Sequence, residues 1–219
     1  MNGLFEDRLE AGHRLAEALQ EYRDSNAVVL GLARGGVVVG YAVAETLNLP
    51  LRALVVRKVG APNNPELALG AVSETGEQWL DPNIVRATGA NQSYLEREIA
   101  AQVAEAQRRQ REYAIDSGLE TVRGRPAIIV DDGIATGATA LVAIRSARHL
   151  GASQVILATP VASPQAVQLL TPHADKMVVL STPEPFLAVG LHYRHFDQTT
   201  DAEVVQYLRL ANARQGVQQ

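Results

Sequence analysis

Residues 127–139 read A-I-I-V-D-D-G-I-A-T-G-A-T. The apolar run Ala127–Val130 has the composition of a strand buried on both faces, and it passes directly into Asp131 and Asp132. Gly133, Ile134, Ala135, Thr136, Gly137, Ala138 and Thr139 then form a small, hydroxyl-bearing turn that opens a helix. Paired carboxylates at a strand tip accept hydrogen bonds from vicinal hydroxyls, and a Thr/Gly/Ala turn at a helix start offers N–H groups and hydroxyls to a phosphate. A phosphorylated sugar carries both features. The plainer alternative is a strand ending in a capped turn, since Asp and Thr favour helix starts in any case.

On either side of this stretch, short apolar strands alternate with helical periodicity. Strands are predicted over Ala27–Gly31, Leu51–Val56, Ala68–Ser73, Glu77–Leu80, Val155–Thr159 and Met177–Leu180. Helices are predicted over Glu6–Tyr22, Gly36–Leu47, Ala138–Leu150 and, opened by a Ser93/Glu96 capping box, up to Tyr113. Ser163 and Pro164 start a short helix, and Thr200 with Glu203 boxes a terminal one. This order predicts an α/β fold, an open twisted and mostly parallel sheet flanked by helices, in one domain spanning 1–219. Such sheets bind ligands outside the carboxyl ends of their strands. Leu32–Gly36, Arg57–Glu66 and Asp131–Thr139 each follow a strand and are expected to share that edge.

The turn Gly31-Leu32-Ala33-Arg34-Gly35-Gly36 brings backbone N–H groups close to an anion. Its G-x-x-x-G-G spacing differs from the dinucleotide fingerprint, and Arg57 and Lys58 stand where that motif would place an acid. Two adjacent cations there suit charge developing on a phosphate leaving group, although an exposed basic strand end has the same composition.

The stretch V-D-D-G-I-A-T-G-A-T, Val130–Thr139, resembles the phosphoribosyl pyrophosphate (PRPP) motif of type I phosphoribosyltransferases. The resemblance implies that Asp131 and Asp132 hold the ribose hydroxyls and that Ala135–Thr139, reached through Gly133 and Ile134, wrap the 5-phosphate. It implies a pyrophosphate loop at Arg34, Gly35 and Gly36, with Arg57 and Lys58 serving the leaving group. Arg57–Glu66 is similar to the family's mobile catalytic loop, with Glu66 as a polar contributor. The implied cofactor is Mg2+, held mainly by PRPP oxygens with Asp131 or Asp132 assisting, and no dedicated protein cage.

A family hood over the acceptor would come from segments 1–25 and 183–219, with His192 and Tyr193 on the base side, around a core of about 27–180 and an inserted helix at about 91–114. Oxopurine-type relatives carry an Asp just before Thr-Gly, where this chain has Ala135. Ala-Thr-Gly is more similar to the adenine-type pattern, and the acceptor stays open. The implied activity is transfer of the phosphoribosyl group to a nitrogenous acceptor with release of pyrophosphate. The alternative is a non-catalytic PRPP- or nucleotide-binding regulatory protein. A homodimer is the family expectation.

The chain has 219 residues, 47% hydrophobic and 20% charged, which is ordinary for a folded domain. A net charge of −4 supplies no basic face for nucleic acid. Arg108, Arg109 and Arg111 lie among Glu and Gln on a helix and read as a solvated face. No cysteine is present, which excludes disulfides and thiolate metal sites. Met1–Leu9 lacks an apolar targeting core and no run reaches membrane-span length, so a cytoplasmic location is expected, with no membrane partner. His192 and His195 are three apart in an aromatic stretch without metal-ligand company.

Overall fold

The structure, a computed structural model, describes residues 3–113 and 118–216. Residues 1, 2, 114–117 and 217–219 lie outside the described residues, and with them the outer ends of both proposed hood segments and position 114 of the inserted helix.

In chain order the elements are α1 (Arg8–Glu17), β1 (Val28–Leu32), α2 (Gly35–Leu47), β2 (Leu51–Leu54), β3 (Val56–Ala61), β4 (Asn64–Ser73), β5 (Gln78–Leu80), α3 (Pro82–Thr88), α4 (Gln92–Tyr113), β6 (Pro126–Val130), α5 (Ala138–His149), β7 (Gln154–Val161), α6 (Pro164–Leu170), β8 (Lys176–Ser181) and α7 (Asp201–Gly216). Five strands form a parallel sheet in the order β2-β1-β6-β7-β8. All five residues of β1 are buried, as are Ala127–Val130 of β6, because helices cover both faces. Successive side chains alternate between those faces. Val29 and Ile128 pack with Leu15, Val43 and Leu47 under α1 and α2, while Val28 and Ile129 pack with Leu141, Ile144 and Leu170 under α5 and α6. Each such aliphatic side chain contributes roughly 1.5–3 kcal/mol of burial, so the sheet centre is the most firmly held part of the molecule.

The segment Arg57–Glu66 is not an irregular loop. β3 pairs antiparallel with β4, and β5 completes a three-stranded sheet. Only Pro62 and Asn63, the latter with φ of 62°, form the turn. The two cations break the apolar signal of β3, and Pro62, Asn63, Asn64 and Pro65 resemble a loop. Val59, Ala61, Leu69 and Val72 nevertheless bury a common face against Leu95 of α4.

Other boundaries shift for local reasons. The first helix stops at Glu17, and a separate 3-10 turn follows at Gln20–Tyr22. α4 starts before Ser93, because Asn91 Oδ1 accepts from Tyr94 N at 2.9 Å and supplies the cap. α3 was not expected, yet Asp81 accepts from Asn83 and Ile84 N, with Pro82 in the first turn. The Ser163 cap and the Thr200/Glu203 box form as the sequence implies.

Just past β4, both carboxylate oxygens of Glu74 are buried with no hydrogen-bond partner among the described residues. Burial pushes this carboxyl from its ordinary 4.5 up to about 7, and the Glu74 and Val55 backbone amides pull the other way without offsetting it. A raised acid is favourable to folding only while protonated, so its penalty grows as pH rises from 4.5 through 7 and is complete above that. Glu74→Gln is expected to stabilise the chain at pH 8 by about 2 kcal/mol and to leave it unchanged at pH 4. Urea midpoints at the two pH values check this, and an equal gain at both would contradict it.

Candidate functional site

β1 and β6 are neighbours and end together, with Gly31 opposite Val130. The two chains leaving them touch. A methyl group on Gly36 would meet Val130 O at 2.5 Å and Asp131 Cα at 2.9 Å, and one on Gly35 would overlap Asp132 Oδ2. Glycine at both positions therefore lets the first turn lie against the acid pair.

The second turn is held from below. Ile134 N donates to Val161 O at 2.9 Å, Ser163 N donates to Ile134 O at 2.9 Å, and Ser163 Oγ donates to Ala135 O at 2.6 Å. Ala135 and Thr136 stay exposed, and Gly137 turns the chain into α5 with φ of 85°. Side chains of Asp7, Asp81, Asn91, Ser163 and Thr200 cap α1, α3, α4, α6 and α7. α2 and α5 have neither a side-chain cap nor an acid in the first turn. Their leading N–H groups and positive dipole ends are thus left for an anion from elsewhere. These two helices follow the two turns that flank Asp131 and Asp132.

The acids themselves are largely shielded from solvent. Asp132 N donates to Asp131 Oδ1 at 2.9 Å. Arg8 Nε donates to Asp132 Oδ2 at 2.8 Å, in a pair whose side chains are 12% and 16% exposed. Arg8 Nη1 also donates to Asp197 O at 2.7 Å, and its guanidinium lies over the Phe196 ring at 3.9 Å. Burial and then the Asp132 charge hold the Asp131 carboxyl well above the usual range. Burial also raises Asp132, with the Arg8 guanidinium pulling the other way. A cavity of about 300 Å3 opens beside this pair, lined by Arg8, Arg34, Gly35, Phe196, Gln198 and Thr199. Sequence reading missed Arg8, because on an amphipathic helix it looks like any solvated charge. Its partner lies 124 residues away.

The remaining candidates divide. Asp131–Thr139, Arg34, Gly35 and Gly36 converge on one edge. Arg57 and Lys58 do not act as a pair, because adjacent strand residues point to opposite faces. Arg57 Nε donates to Gln102 Oε1 on α4 at 3.0 Å, and burial followed by the nearby Arg109 charge lowers its pKa. Lys58 stands opposite Ala71, which packs on Ala138 and Val142, so Lys58 is on the α5 side of the hairpin. Its Nζ lies 3.2 Å from Glu66 Oε2, and Glu66 is exposed.

Tyr193 donates to Asp132 O at 2.5 Å, and its ring sits between Phe5 at 5.4 Å and Phe196 at 5.0 Å. His192 packs on Phe186 at 5.1 Å with a buried, unpartnered Nε2 among the described residues, and burial lowers its pKa. On α4, Arg108 and Arg109 pair with Glu105, Glu112 and Asp201, as a solvated face does. Among the described residues no cluster of three or more His, Asp or Glu could hold a metal, and no helix is long and apolar enough to cross a membrane.

The family model for the phosphoribosyl transferase domain matches residues 6–186. The chain belongs to the phosphoribosyltransferase family. Proteins from two Mycobacterium tuberculosis strains, provisionally named phosphoribosyl transferases, are 45% identical over 209 residues. That alignment covers 95% of this chain and 47% of theirs, so the chain spans about half the length of the curated relatives it matches. The crystal structure of TT1426 from Thermus thermophilus is 46% identical with a TM-score of 0.73, covering 93% of this chain and 97% of that one. The family match places the D-D-G turn within a phosphoribosyltransferase domain, whereas Tyr193, Phe196 and Thr199 lie beyond its end.

Proposed function

We propose that this edge binds PRPP and that the chain transfers its phosphoribosyl group to a nitrogenous acceptor, releasing pyrophosphate. The observation that carries the reading is the pair of uncapped helix starts, α2 and α5, on either side of two buried acids. In this account Asp131 and Asp132 orient the ribose hydroxyls, the α5 start with Thr136–Thr139 holds the 5-phosphate, and Arg34, Gly35 and Gly36 hold the pyrophosphate. Lys58, on the α5 side of the hairpin and paired with Glu66, would serve the leaving group only by parting from that carboxylate.

Displacement at C1 needs little covalent help from protein. Alignment of the acceptor and stabilisation of the departing charge carry it. Mg2+, when bound, supplies charge neutralisation to the pyrophosphate. Asp131 and Asp132 would hold it, since each has a carboxylate oxygen outside the Asp132 N–H and Arg8 contacts. Two segments would form the hood: Phe5 N donates to His192 O at 3.0 Å and Arg194 N donates to Phe5 O at 2.9 Å, which ties the stretch before α1 to the aromatic stretch whose Tyr193 hydroxyl meets Asp132 O. Such a cover keeps water from an oxocarbenium-like state.

Gly35→Ala is expected to push the Asp132 carboxylate aside and lower PRPP affinity roughly tenfold through one lost charged hydrogen bond. Calorimetry with the folded variant checks it, and unchanged affinity would remove Gly35 from the site.

The alternative is a regulatory reading, in which the same edge binds PRPP without turnover. The deciding experiment is pyrophosphate release from PRPP and Mg2+ across purine, pyrimidine and simple amine acceptors. Release with one acceptor class supports the transferase, while saturable PRPP binding with no release from any acceptor supports the regulator.

A further inference from the structure

β2 and β8 are the two edges of the main sheet. The β2 edge is covered: α4 and α7 lie against it, and Gln110 Nε2 donates to Ala53 O at 3.2 Å. β8 has no such cover, and its residues Lys176–Ser181 are all partly exposed. Its parallel pairing with β7 fixes which backbone groups are used. Asp175 N donates to Val155 O at 2.9 Å and Ser181 O accepts from Ala162 N at 3.1 Å, so Asp175, Met177, Val179 and Ser181 turn their backbone toward β7. The N–H and C=O groups of Lys176, Val178 and Leu180 therefore point outward, where they meet no hydrogen-bond partner among the described residues.

An unpaired edge is a template for another strand, and folded proteins blunt it with charges, prolines, bulges or a covering element. Residues 177–181 read M-V-V-L-S, with no charge and no proline, and their register with β7 runs without a shift. Lys176, the one charge in the strand, is drawn aside: its Nζ pairs with Glu21 and stands 5.7 Å from the Tyr22 ring centre, in the turn that follows α1. Val178 and Leu180 pack with the core under α1 and α2, and Met177 and Val179 with the core under α5 and α6, so β8 carries both apolar layers of the sheet to its edge. The strand is also complementary to itself. Run antiparallel about a two-fold axis through Val178, outward groups meet outward groups: Val178 faces Val178 and Lys176 faces Leu180, each pair exchanging both backbone bonds. Met177 then falls opposite Val179, and no like charges stand against each other.

We propose that β8 is the contact surface for a second copy of this chain, the two strands pairing antiparallel about that axis and joining two five-stranded sheets into one. The pairing gives the outward N–H and C=O groups their partners and lays the apolar side chains of each strand beside those of the other. The acid pair at the end of β6 is separated from this edge by β7, so the contact does not rest on the PRPP reading.

The test combines mass in solution with cross-linking, both without PRPP. Sedimentation equilibrium of the wild-type chain should give twice 23.5 kDa. Val178→Pro removes the central outward N–H, which no bond within one chain uses, and should weaken the dimer at least roughly tenfold through the bonds lost at the axis. The chain has no cysteine, so Val178→Cys introduces a single thiol and stays informative if Val178→Pro does not fold. Facing residues of a bonded antiparallel pair have Cα atoms about 5.5 Å apart, within disulfide reach. Oxidation with copper–phenanthroline should therefore join two Val178→Cys chains, whereas Leu210→Cys, exposed on α7, should stay single. A wild-type monomer would overturn the proposal. So would a dimer that Val178→Pro leaves equally tight, or Val178→Cys chains that cross-link no faster than Leu210→Cys.

Discussion

Arg8→Ala is expected to lower folding stability by about 3 kcal/mol, the low end of the penalty for breaking a buried ion pair. Its guanidinium holds three things together: the Asp132 carboxylate, the Asp197 carbonyl and the Phe196 ring. Without it Asp132 becomes an unpaired buried charge beside another acid. Most of the loss should therefore come from Asp132, and adding Asp132→Asn to Arg8→Ala should recover the greater part. Urea unfolding of the two single variants and the double variant forms the cycle. A loss below about 1 kcal/mol for Arg8→Ala, the level of an exposed pair, would show that solvent already compensates that carboxylate.

Asp131→Asn is expected to do the opposite to stability while damaging ligand binding. The folded Asp131 carboxyl titrates well above its ordinary 3.8 because of burial and the adjacent Asp132 charge. The unfolded chain therefore releases this proton first, and stability falls as pH rises above 3.8 toward the folded value. Replacing the acid with an isosteric amide removes that pH-dependent penalty, so the variant should melt higher than wild type at pH 7 and equally at pH 3. PRPP affinity should fall by roughly 10–150-fold for one lost charged hydrogen bond, and further in the Asp131→Asn, Asp132→Asn double variant. Higher stability with weaker binding is the signature of a group retained for function. A lower melting temperature at pH 7 would mean that Asp131 is structural.

What could be read from residue order alone was set by how far each signal is local. β1 and β6 are continuous apolar runs because helices cover both faces, and the Gly35–Gly36 and Asp131–Thr139 turns follow directly from those runs. Helix caps at Ser163 and Thr200 are three-residue patterns and were equally legible. The β3–β4 hairpin was hidden by Arg57, Lys58 and two prolines, although its buried face at Val59, Ala61, Leu69 and Val72 decided the outcome.

The candidate site was half legible. Its turns were visible, but the Arg8–Asp132 pair spans 124 residues and depends on where α1 docks, which no local pattern records. The aromatic run at 186–196 could be recognised as belonging near the edge. Only packing turns Tyr193 between Phe5 and Phe196, with its hydroxyl on the Asp132 carbonyl.

Whether two uncapped helix starts and two acids make one PRPP site is decided by titrating PRPP with Mg2+ into the wild-type chain in a calorimeter. Saturable one-to-one binding is expected, competed by inorganic pyrophosphate and weakened by Asp131→Asn. No heat of binding, or binding that Asp131→Asn leaves unchanged in a folded protein, would contradict it.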